Sequence, residues 1–215
     1  MTSAEETALV RGASALGVHL DAASIDRIGR FIDRLDIWNR RSHLTGDRDR
    51  ALLVRKHAVD SLAVVSELPA SGTVVDIGSG AGFPGLVIGC SRPELAMVLI
   101  ESRRKPASFL SDAIRSIPLP EARVLHIRAE DAGGNESLAG GVAVVVSRAV
   151  RLDVFLPLAA SLVASGGRVV AMQTAAIQED AARRAGAPLG LELSRVRDYG
   201  LPDGERRRLL IFSRR

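Results

Sequence analysis

The segment from Val74 to Gly85 constrains the fold of this chain more than any other part of the sequence. It reads Val-Val-Asp-Ile-Gly-Ser-Gly-Ala-Gly-Phe-Pro-Gly, an apolar strand that contains a carboxylate and passes directly into a glycine loop. Glycines permit a turn of positive φ and let the backbone approach a ligand closely. Pro84 suits the first turn of a following helix. The segment therefore predicts the first strand, loop and helix of an open α/β sheet, in which nucleotide-like ligands bind beyond the carboxyl end of the strand.

The charge of Asp76 bears on which ligand this loop would hold. Gly80, Gly82 and Gly85 satisfy the G-x-G-x-x-G pattern of dinucleotide-binding proteins, so a nicotinamide or flavin enzyme stays open as an alternative. A pyrophosphate binds to N–H groups at a helix end, and a carboxylate at the mouth of the loop would repel it. The same carboxylate would attract the ammonium group of S-adenosylmethionine. We therefore predict a methyl-donor site, in which Asp76 holds the ammonium through water and Gly78 and Gly80 admit the cofactor to the backbone.

The rest of the chain changes its hydrophobic pattern near residue 70. Before that point the spacing predicts helices, with a capping box at Ser3–Glu6 and a third helix that Asp47 caps. From residue 73 onward, short apolar runs alternate with amphipathic helices, which predicts βαβ units and a mainly parallel sheet. The predicted strands are 73–77, 96–100, 123–127, 142–147, 168–172, 193–199 and 207–213, and the predicted helices are 84–91, 103–116, 152–164 and 175–185. The last strand is expected to be antiparallel, and the glycine-rich stretch 133–141 is expected to be a surface loop.

This pattern predicts an α/β fold of the class I S-adenosylmethionine-dependent methyltransferase type, a Rossmann-like seven-stranded sheet. Residues 1–70 would form an N-terminal helical extension and residues 71–215 the methyltransferase core, in one compact unit. A chain of 215 residues, 47% of them hydrophobic, can bury a full core. Its single cysteine, Cys90, excludes an internal disulfide and argues against structural zinc, so no metal is expected.

Composition also bears on location and partners. No apolar run approaches the length of a membrane helix and the N-terminus is polar and acidic, so we expect a cytoplasmic monomer that does not bind membranes. The net charge is +4, and since Lys56 and Lys105 are the only lysines, 27 of the 29 basic residues are arginines, which bind phosphate with a planar fork. Aromatic residues make up only 3%, which argues against a base-stacking platform. A weakly basic enzyme that visits nucleic acid fits better than a dedicated binding module.

Further candidate residues follow the next three predicted strands. Glu101 ends the second strand, where a carboxylate can accept both hydroxyls of an adenosine ribose. Ala129 and Glu130 follow the third strand, in a loop that would lie beside the adenine. Arg148 follows the fourth strand and is expected to lie between the cofactor and the methyl acceptor.

The sequence lacks the motifs that two other kinds of methyl acceptor need. It contains no Pro-Pro, so the element commonly used to methylate exocyclic amines is missing. Methylation of a pyrimidine carbon needs a cysteine nucleophile, whereas Cys90 falls inside the predicted helix after the glycine loop and is expected to be a small core residue. Guanine N(7) needs neither device, because it offers a lone pair and carries no proton, so positioning and electrostatics suffice.

Several of these motifs resemble those of the bacterial 16S ribosomal RNA guanine-N(7) methyltransferase family called RsmG or GidB. The resemblance extends over nearly the whole chain, and its most specific matches are His57-Ala58-Val59-Asp60-Ser61-Leu62, Gly82-Phe83-Pro84-Gly85, Ser147-Arg148-Ala149 and Asp203-Gly204-Glu205-Arg206. It implies transfer of a methyl group from S-adenosylmethionine to N(7) of a guanine in 16S ribosomal RNA, with the RNA or the small ribosomal subunit as partner. It also implies that the cofactor-binding positions include Gly78, Phe83, Ala129, Glu130 and Arg148.

One position departs from the family pattern. Relatives usually end the fifth strand with Leu-Lys-Gly, whereas this chain reads Met172-Gln173-Thr174. A cation that could touch the RNA phosphate or the guanine is missing there, so RNA affinity depends on other residues.

The residues expected to contact RNA are basic side chains from several segments. His57, Asp60 and Ser61 share one helix face, which would point to the carboxyl edge of the sheet, although the same spacing is typical of a polar cluster on a helix surface. The predicted RNA-contacting residues are Arg40, Arg41, His57, Arg103, Arg104, Arg206 and Arg207. The alternatives that remain are a methyltransferase that acts on a small molecule or another RNA, a dinucleotide-dependent oxidoreductase, and an inactive RNA-binding protein of the same fold.

Overall fold

The computed structural model describes residues 1–136, 138 and 141–215. Within these residues a single sheet contains seven strands in the order β3-β2-β1-β4-β5-β7-β6. The strands are β1 Thr73–Ile77, β2 Ala96–Ile100, β3 Ala122–Leu125, β4 Val142–Arg148, β5 Val163–Thr174, β6 Leu191–Gly200 and β7 Arg206–Arg214. Strands β1 to β5 are parallel, and β7 runs antiparallel to both of its neighbours. This topology confirms the predicted fold class.

Helices precede and flank the sheet. They are α1 Ser3–Ala15, α2 Ala22–Ser42, α3 Arg50–Leu52, a π-helical segment Leu53–Ala58, α4 Val59–Leu62, α5 Gly85–Ser91, α6 Arg104–Ser116, α7 Leu152–Leu162 and α8 Glu179–Gly186. Short 3-10 segments lie at Val65–Glu67, Ala129–Gly134 and Ala187–Leu189. None of the helices in the described part of the chain is long and apolar enough to cross a membrane.

Two predicted helix caps lie at other residues. The capping box at the first helix is formed by Thr2 and Glu5, one residue earlier than predicted. The third helix is capped by Asp49, whose carboxylate accepts from the backbone N–H of Ala51. Asp47 does not cap it, because its carboxylate is bound to His57 instead. The local spacing of residues could not show that the Asp47 side chain contacts His57.

The N-terminal helices share a hydrophobic core with the sheet. One buried cluster contains Leu9 and Phe31 of the extension together with Val74 of β1 and Leu86 of α5. The Phe31 ring lies edge-on to Phe83, with centroids 5.1 Å apart. The extension therefore packs directly behind the glycine loop and fixes the position of Phe83.

A second cluster fills the other face of the sheet, around α7 and α8. In the predicted glycine-rich loop, Gly133 and Gly134 end a 3-10 helix, while residues 137, 139 and 140 lie outside the described residues. Cys90 is buried in α5, as expected for a core residue.

Candidate functional site

The glycine loop follows β1 at the carboxyl edge of the sheet. Gly78, Gly80 and Gly82 have φ values of +75°, +53° and +92°, which other residues rarely adopt. The backbone N–H groups of Gly78 and Ser79 donate to the carbonyl of Ile100, so the loop is tied to the end of β2. A Cβ on Gly78 would lie 3.3 Å from Val150. Glycine is therefore required at position 78 both because φ is positive and because Val150 leaves little room for a side chain.

Asp76 lies beneath this loop and not at its mouth, which corrects the expected placement. Its side chain is fully buried, and its Oδ2 accepts from the backbone N–H of Gly85 at 3.0 Å. Its Oδ1 has no hydrogen-bond partner. Burial removes water from the carboxylate and raises the pKa of Asp76 to about 7, against the lowering effect of the Gly85 amide. Asp76 thus carries one unused acceptor directly under the loop.

Glu101 supports the same loop from the end of β2. Its Oε2 accepts from the backbone N–H of Gly80 at 2.9 Å, and its Oε1 accepts from the backbone N–H of Arg103 at 2.8 Å. The side chain is buried, and the Arg103 guanidinium lies 3.3 Å from it. Glu101 therefore joins the glycine loop to the start of α6, while Arg103 and Arg104 are exposed beside it.

A compact cluster of polar and aromatic side chains lies next to the loop. The Arg148 guanidinium carbon is 5.1 Å from the centroid of the Phe83 ring, a cation–π distance. Arg148 also donates to Asp60 Oδ2 at 3.2 Å, and Tyr199 donates its hydroxyl to Asp60 Oδ1 at 2.6 Å. Asp60 is buried, and so is its neighbour Ser61, whose hydroxyl donates to the carbonyl of His57. The alternative of a helix-surface polar cluster is therefore wrong.

His57 connects this cluster to the extension. Its ring lies 5.3 Å from the Phe83 centroid, and its Nε2 is 2.7 Å from Asp47 Oδ2. Burial, reinforced by the nearby Arg148 charge, lowers the pKa of His57, and the bond to Asp47 only partly opposes this. The lowered pKa favours the neutral form of the His57 imidazole.

Asn39, near the end of α2, holds the loop that carries Asp47. Its side-chain amide donates to Thr45 Oγ1 and to the carbonyl of Asp47, and its Oδ1 accepts from the Thr45 backbone N–H, all at 3.0–3.1 Å. Asn39 is buried, so these bonds are shielded from water. A continuous set of contacts thus runs from α2 through Asp47 and His57 to Phe83.

A cavity of about 270 Å³ opens beside this cluster. His57, Asp60 and Arg148 line one side, and the ends of β5, β6 and β7 contribute Met172, Gln173, Thr174, Tyr199 and Arg207. Ala149 also lines it, with φ +65°, a strained conformation for a residue other than glycine. Gln173 donates its amide to the carbonyl of Val150 at 3.1 Å. This cavity is where an acceptor base could meet Arg148.

The structure brings some of the predicted residues together and leaves others apart. His57, Arg148 and Arg207 share the cavity. Ala129 and Glu130 lie in the 3-10 helix after β3, with Glu130 exposed. Arg40 is engaged by Asp36 at 2.7 Å, whereas Arg41 and Arg206 are exposed.

Three residues of the site were not predicted from the sequence. Tyr199 lies 139 residues from its partner Asp60, and no local pattern signals such a pairing. Asp47 was noticed only as a possible helix cap. Ala149 follows Arg148 directly, but a positive φ at alanine leaves no trace in the sequence.

Comparison with known proteins identifies similar sequences along the whole chain. A family model described as rRNA small subunit methyltransferase G matches residues 24–200. Ribosomal RNA small subunit methyltransferase G of Chloroflexus aggregans is 36% identical over 218 residues, which cover 100% of this chain and 92% of the relative. The protein of the same name from Geobacter sp. strain M21 is 35% identical over 221 residues, which cover 100% of this chain and 100% of the relative.

Solved structures show the same fold at much lower identity. A TehB-like SAM-dependent methyltransferase from Corynebacterium glutamicum superposes with a TM-score of 0.57 at 13% identity, covering 87% of this chain and 100% of that one. Fibrillarin from Aeropyrum pernix, solved with natively bound S-adenosyl-L-methionine, gives a TM-score of 0.54 at 14% identity, covering 67% of this chain and 68% of that one. At these identities the likeness establishes the class I methyltransferase fold alone.

Proposed function

This chain belongs to the rRNA small subunit methyltransferase G family, and from that membership we propose that it methylates N(7) of a guanine in small-subunit ribosomal RNA, with S-adenosylmethionine as methyl donor. The observation that carries the proposal is the match over residues 24–200, which includes the glycine loop and every residue that lines the cavity except Arg207. Family membership favours this function over a dinucleotide-dependent oxidoreductase or a small-molecule methyltransferase. Turnover on RNA distinguishes it from an inactive RNA-binding protein.

The residues around the glycine loop fit S-adenosylmethionine. Bound there, it supplies a methyl group on a positively charged sulfur. Gly78 is exposed with a positive φ, so its backbone can approach a ligand without a Cβ in the way. The Oδ1 of buried Asp76 has no hydrogen-bond partner and can accept from a water that also binds the ammonium group of the ligand, and that positive charge would favour the ionised carboxylate. Glu101 would receive the ribose, and Ala129 and Glu130 would flank the adenine.

Arg148 is assigned a place between the cofactor and the base. Asp60 fixes its guanidinium from one side and the Phe83 ring supports it from the other, so few orientations remain open to it. Guanine N(7) carries no proton, so no residue at the cavity has to accept one during the transfer. His57 and the fixed Arg148 therefore orient the base and exclude water, which can supply much of the rate enhancement.

RNA binding is assigned to basic side chains around the site. Arg41, Arg103, Arg104 and Arg206 are exposed and can contact phosphates, and Arg40 can do so in exchange for its surface ion pair. Arg207 and His57 would act at the cavity itself. With ribosomal RNA as substrate, we propose that the protein acts in the cytoplasm and that it is a monomer.

The organisation of the chain fits this function. Residues 1–70 form a helical extension and residues 71–215 the methyltransferase core, and their shared hydrophobic cluster supports one compact unit. The extension reaches the site through His57 and Asp60, which line the cavity, and through the loop held by Asn39.

The test is to map N(7)-methylguanine in small-subunit ribosomal RNA from cells with and without the gene. We expect one guanine to lose its N(7)-methyl group when the gene is deleted and to regain it when the gene is restored. An unchanged methylation map would contradict the proposal.

A further inference from the structure

Glu205 joins two basic side chains at the edge of the cavity. It lies in the turn between β6 and β7, where its Oε2 is 3.1 Å from Lys56 Nζ and its Oε1 is 2.9 Å from Arg207 Nη2. The carboxylate is 38% exposed, more than Lys56 at 27% or Arg207 at 20%. We call these three residues the Lys-Glu-Arg bridge. The acid in the bridge is thus the member most open to solvent.

The bridge adjoins the cavity beside the glycine loop through Arg207. Arg207 lines the cavity, and Lys56 directly precedes His57, which also lines it. Lys56 and His57 belong to the π-helical segment Leu53–Ala58, a kind of distortion that is frequent at functional sites. Arg207 also has a buried Nε without a hydrogen-bond partner, so its guanidinium is incompletely satisfied. Two cations are therefore held next to the cavity by a single exposed carboxylate.

We propose that a backbone phosphate beside the target guanine displaces Glu205 and binds between Lys56 and Arg207. A phosphate, like a carboxylate, presents two oxygens that can accept from two cations, and arginine binds it well. Lys56 and Arg207 are mostly buried, and the phosphate replaces the acceptor oxygens that Glu205 gives up, so neither cation is left unpaired by the exchange. The inference rests on the proposed RNA substrate and adds to it the side chains that hold the target nucleotide.

Glu205 then has two opposing effects on RNA binding. It keeps two like charges close together while RNA is absent, which preforms the phosphate site. It also competes with the phosphate for both cations. Glu205→Gln keeps a side-chain oxygen that can accept from these side chains but removes the competing charge, so it should strengthen RNA binding. A purely structural tie between the β6–β7 turn and the π-helical segment predicts the opposite, because loss of the tie would disorder the site.

The experiment measures the affinity of a small-subunit ribosomal RNA fragment for the full-length protein at several salt concentrations. Glu205→Gln should bind the RNA about threefold to tenfold more tightly than wild type, with a steeper salt dependence. Lys56→Met should bind more weakly, with the slope of log affinity against log salt reduced by about one unit. Glu192→Gln is the matched control, because it changes the net charge equally and breaks an exposed pair with Arg215 at the other end of the β6–β7 hairpin. It should leave RNA affinity within twofold of wild type.

Each outcome either supports or overturns the proposed phosphate site. Equal or weaker binding by Glu205→Gln, or the same gain with Glu192→Gln, would overturn it. If Glu205→Gln does not fold, as judged by its melting curve, the salt slope of Lys56→Met decides in its place, and an unchanged slope overturns the inference. A wild-type protein that methylates the RNA while Glu205→Gln gains no affinity refutes the bridge alone. A wild-type protein that neither binds nor methylates the RNA refutes the proposed function as well.

Discussion

Individual residues beneath the glycine loop act mainly through its backbone. Asp76 and Glu101 each direct a carboxylate oxygen to an amide of the loop, at Gly85 and Gly80 respectively. Both carboxylates are buried, so neither is a simple surface counter-charge. Their first effect is to hold the loop in the shape that its glycines permit.

Replacing Gly78 with valine should abolish S-adenosylmethionine binding. The new side chain would strain a φ of +75°, meet Val150 and fill the space that the proposed cofactor needs. Isothermal titration calorimetry on the folded variant measures the loss. Gly17→Val is the matched control, because Gly17 has φ +74° with no atom within 4 Å of its Cβ position. Cofactor binding by Gly78→Val at wild-type affinity would refute the assignment of this loop.

Replacing Asp76 with asparagine should change how stability depends on pH. The unfolded chain ionises Asp76 near pH 3.8, whereas the folded chain keeps its proton to about pH 7. Between these values the folded state binds the extra proton, so this group makes wild type less stable as pH rises. The free energy of unfolding of Asp76→Asn, relative to wild type, should therefore rise by up to about 4 kcal/mol from pH 4 to pH 7 and then level off.

Urea unfolding of both proteins at half-unit steps of pH measures this difference. A difference that stays constant from pH 4 to pH 8 would show that Asp76 is ionised in the folded protein throughout. In that case a further group near Asp76 would have to stabilise its charged carboxylate against the effect of burial.

Among the elements, the loop after α2 links the helical extension to the site. Asn39 shapes this loop, the loop presents Asp47 to His57, and His57 lies against Phe83. Asn39→Ala should lower the free energy of unfolding by about 2 kcal/mol, because buried partners at Thr45 and Asp47 lose their bonds. Urea unfolding measures it. Asp26→Asn on the same helix loses only an exposed ion pair with Arg30 and should cost under about 0.5 kcal/mol. Equal costs for the two variants would contradict this role of the loop.

The ends of β4 and β7 should contribute differently to RNA methylation. Arg206→Gln at the start of β7 should weaken RNA binding and reduce the salt slope by about one unit, since it removes an exposed phosphate contact. Arg148→Ala at the end of β4 should lose turnover or cofactor affinity and leave the salt slope unchanged. Filter binding across a salt series, with methylation measured in parallel, separates the two. Normal methylation by Arg148→Ala would refute its assigned place beside the cofactor.

For the molecule as a whole, the periodic pattern of hydrophobic residues predicted the fold but did not predict which individual side chains contact each other. The alternation of apolar runs after residue 73 fixed seven strands, and β1 and β2 were predicted to the residue. Strand β5 begins five residues before its predicted start, because Val163–Gly167 contains too many small residues to show an apolar run. The pairing of Tyr199 with Asp60 depends on the packing of β6 near α4, which no local spacing encodes.

Direct methylation by the purified protein tests the proposed transfer of a methyl group to guanine N(7). Small ribosomal subunits and their deproteinised RNA, both from cells lacking the gene, would be incubated with the protein and S-adenosylmethionine labelled in its methyl group. Chemical cleavage specific for N(7)-methylguanine would then locate the product. We expect label at one guanine of the small-subunit RNA, approaching one methyl group per molecule. Label on another atom, or none in RNA from either substrate while the protein binds the cofactor, would contradict it.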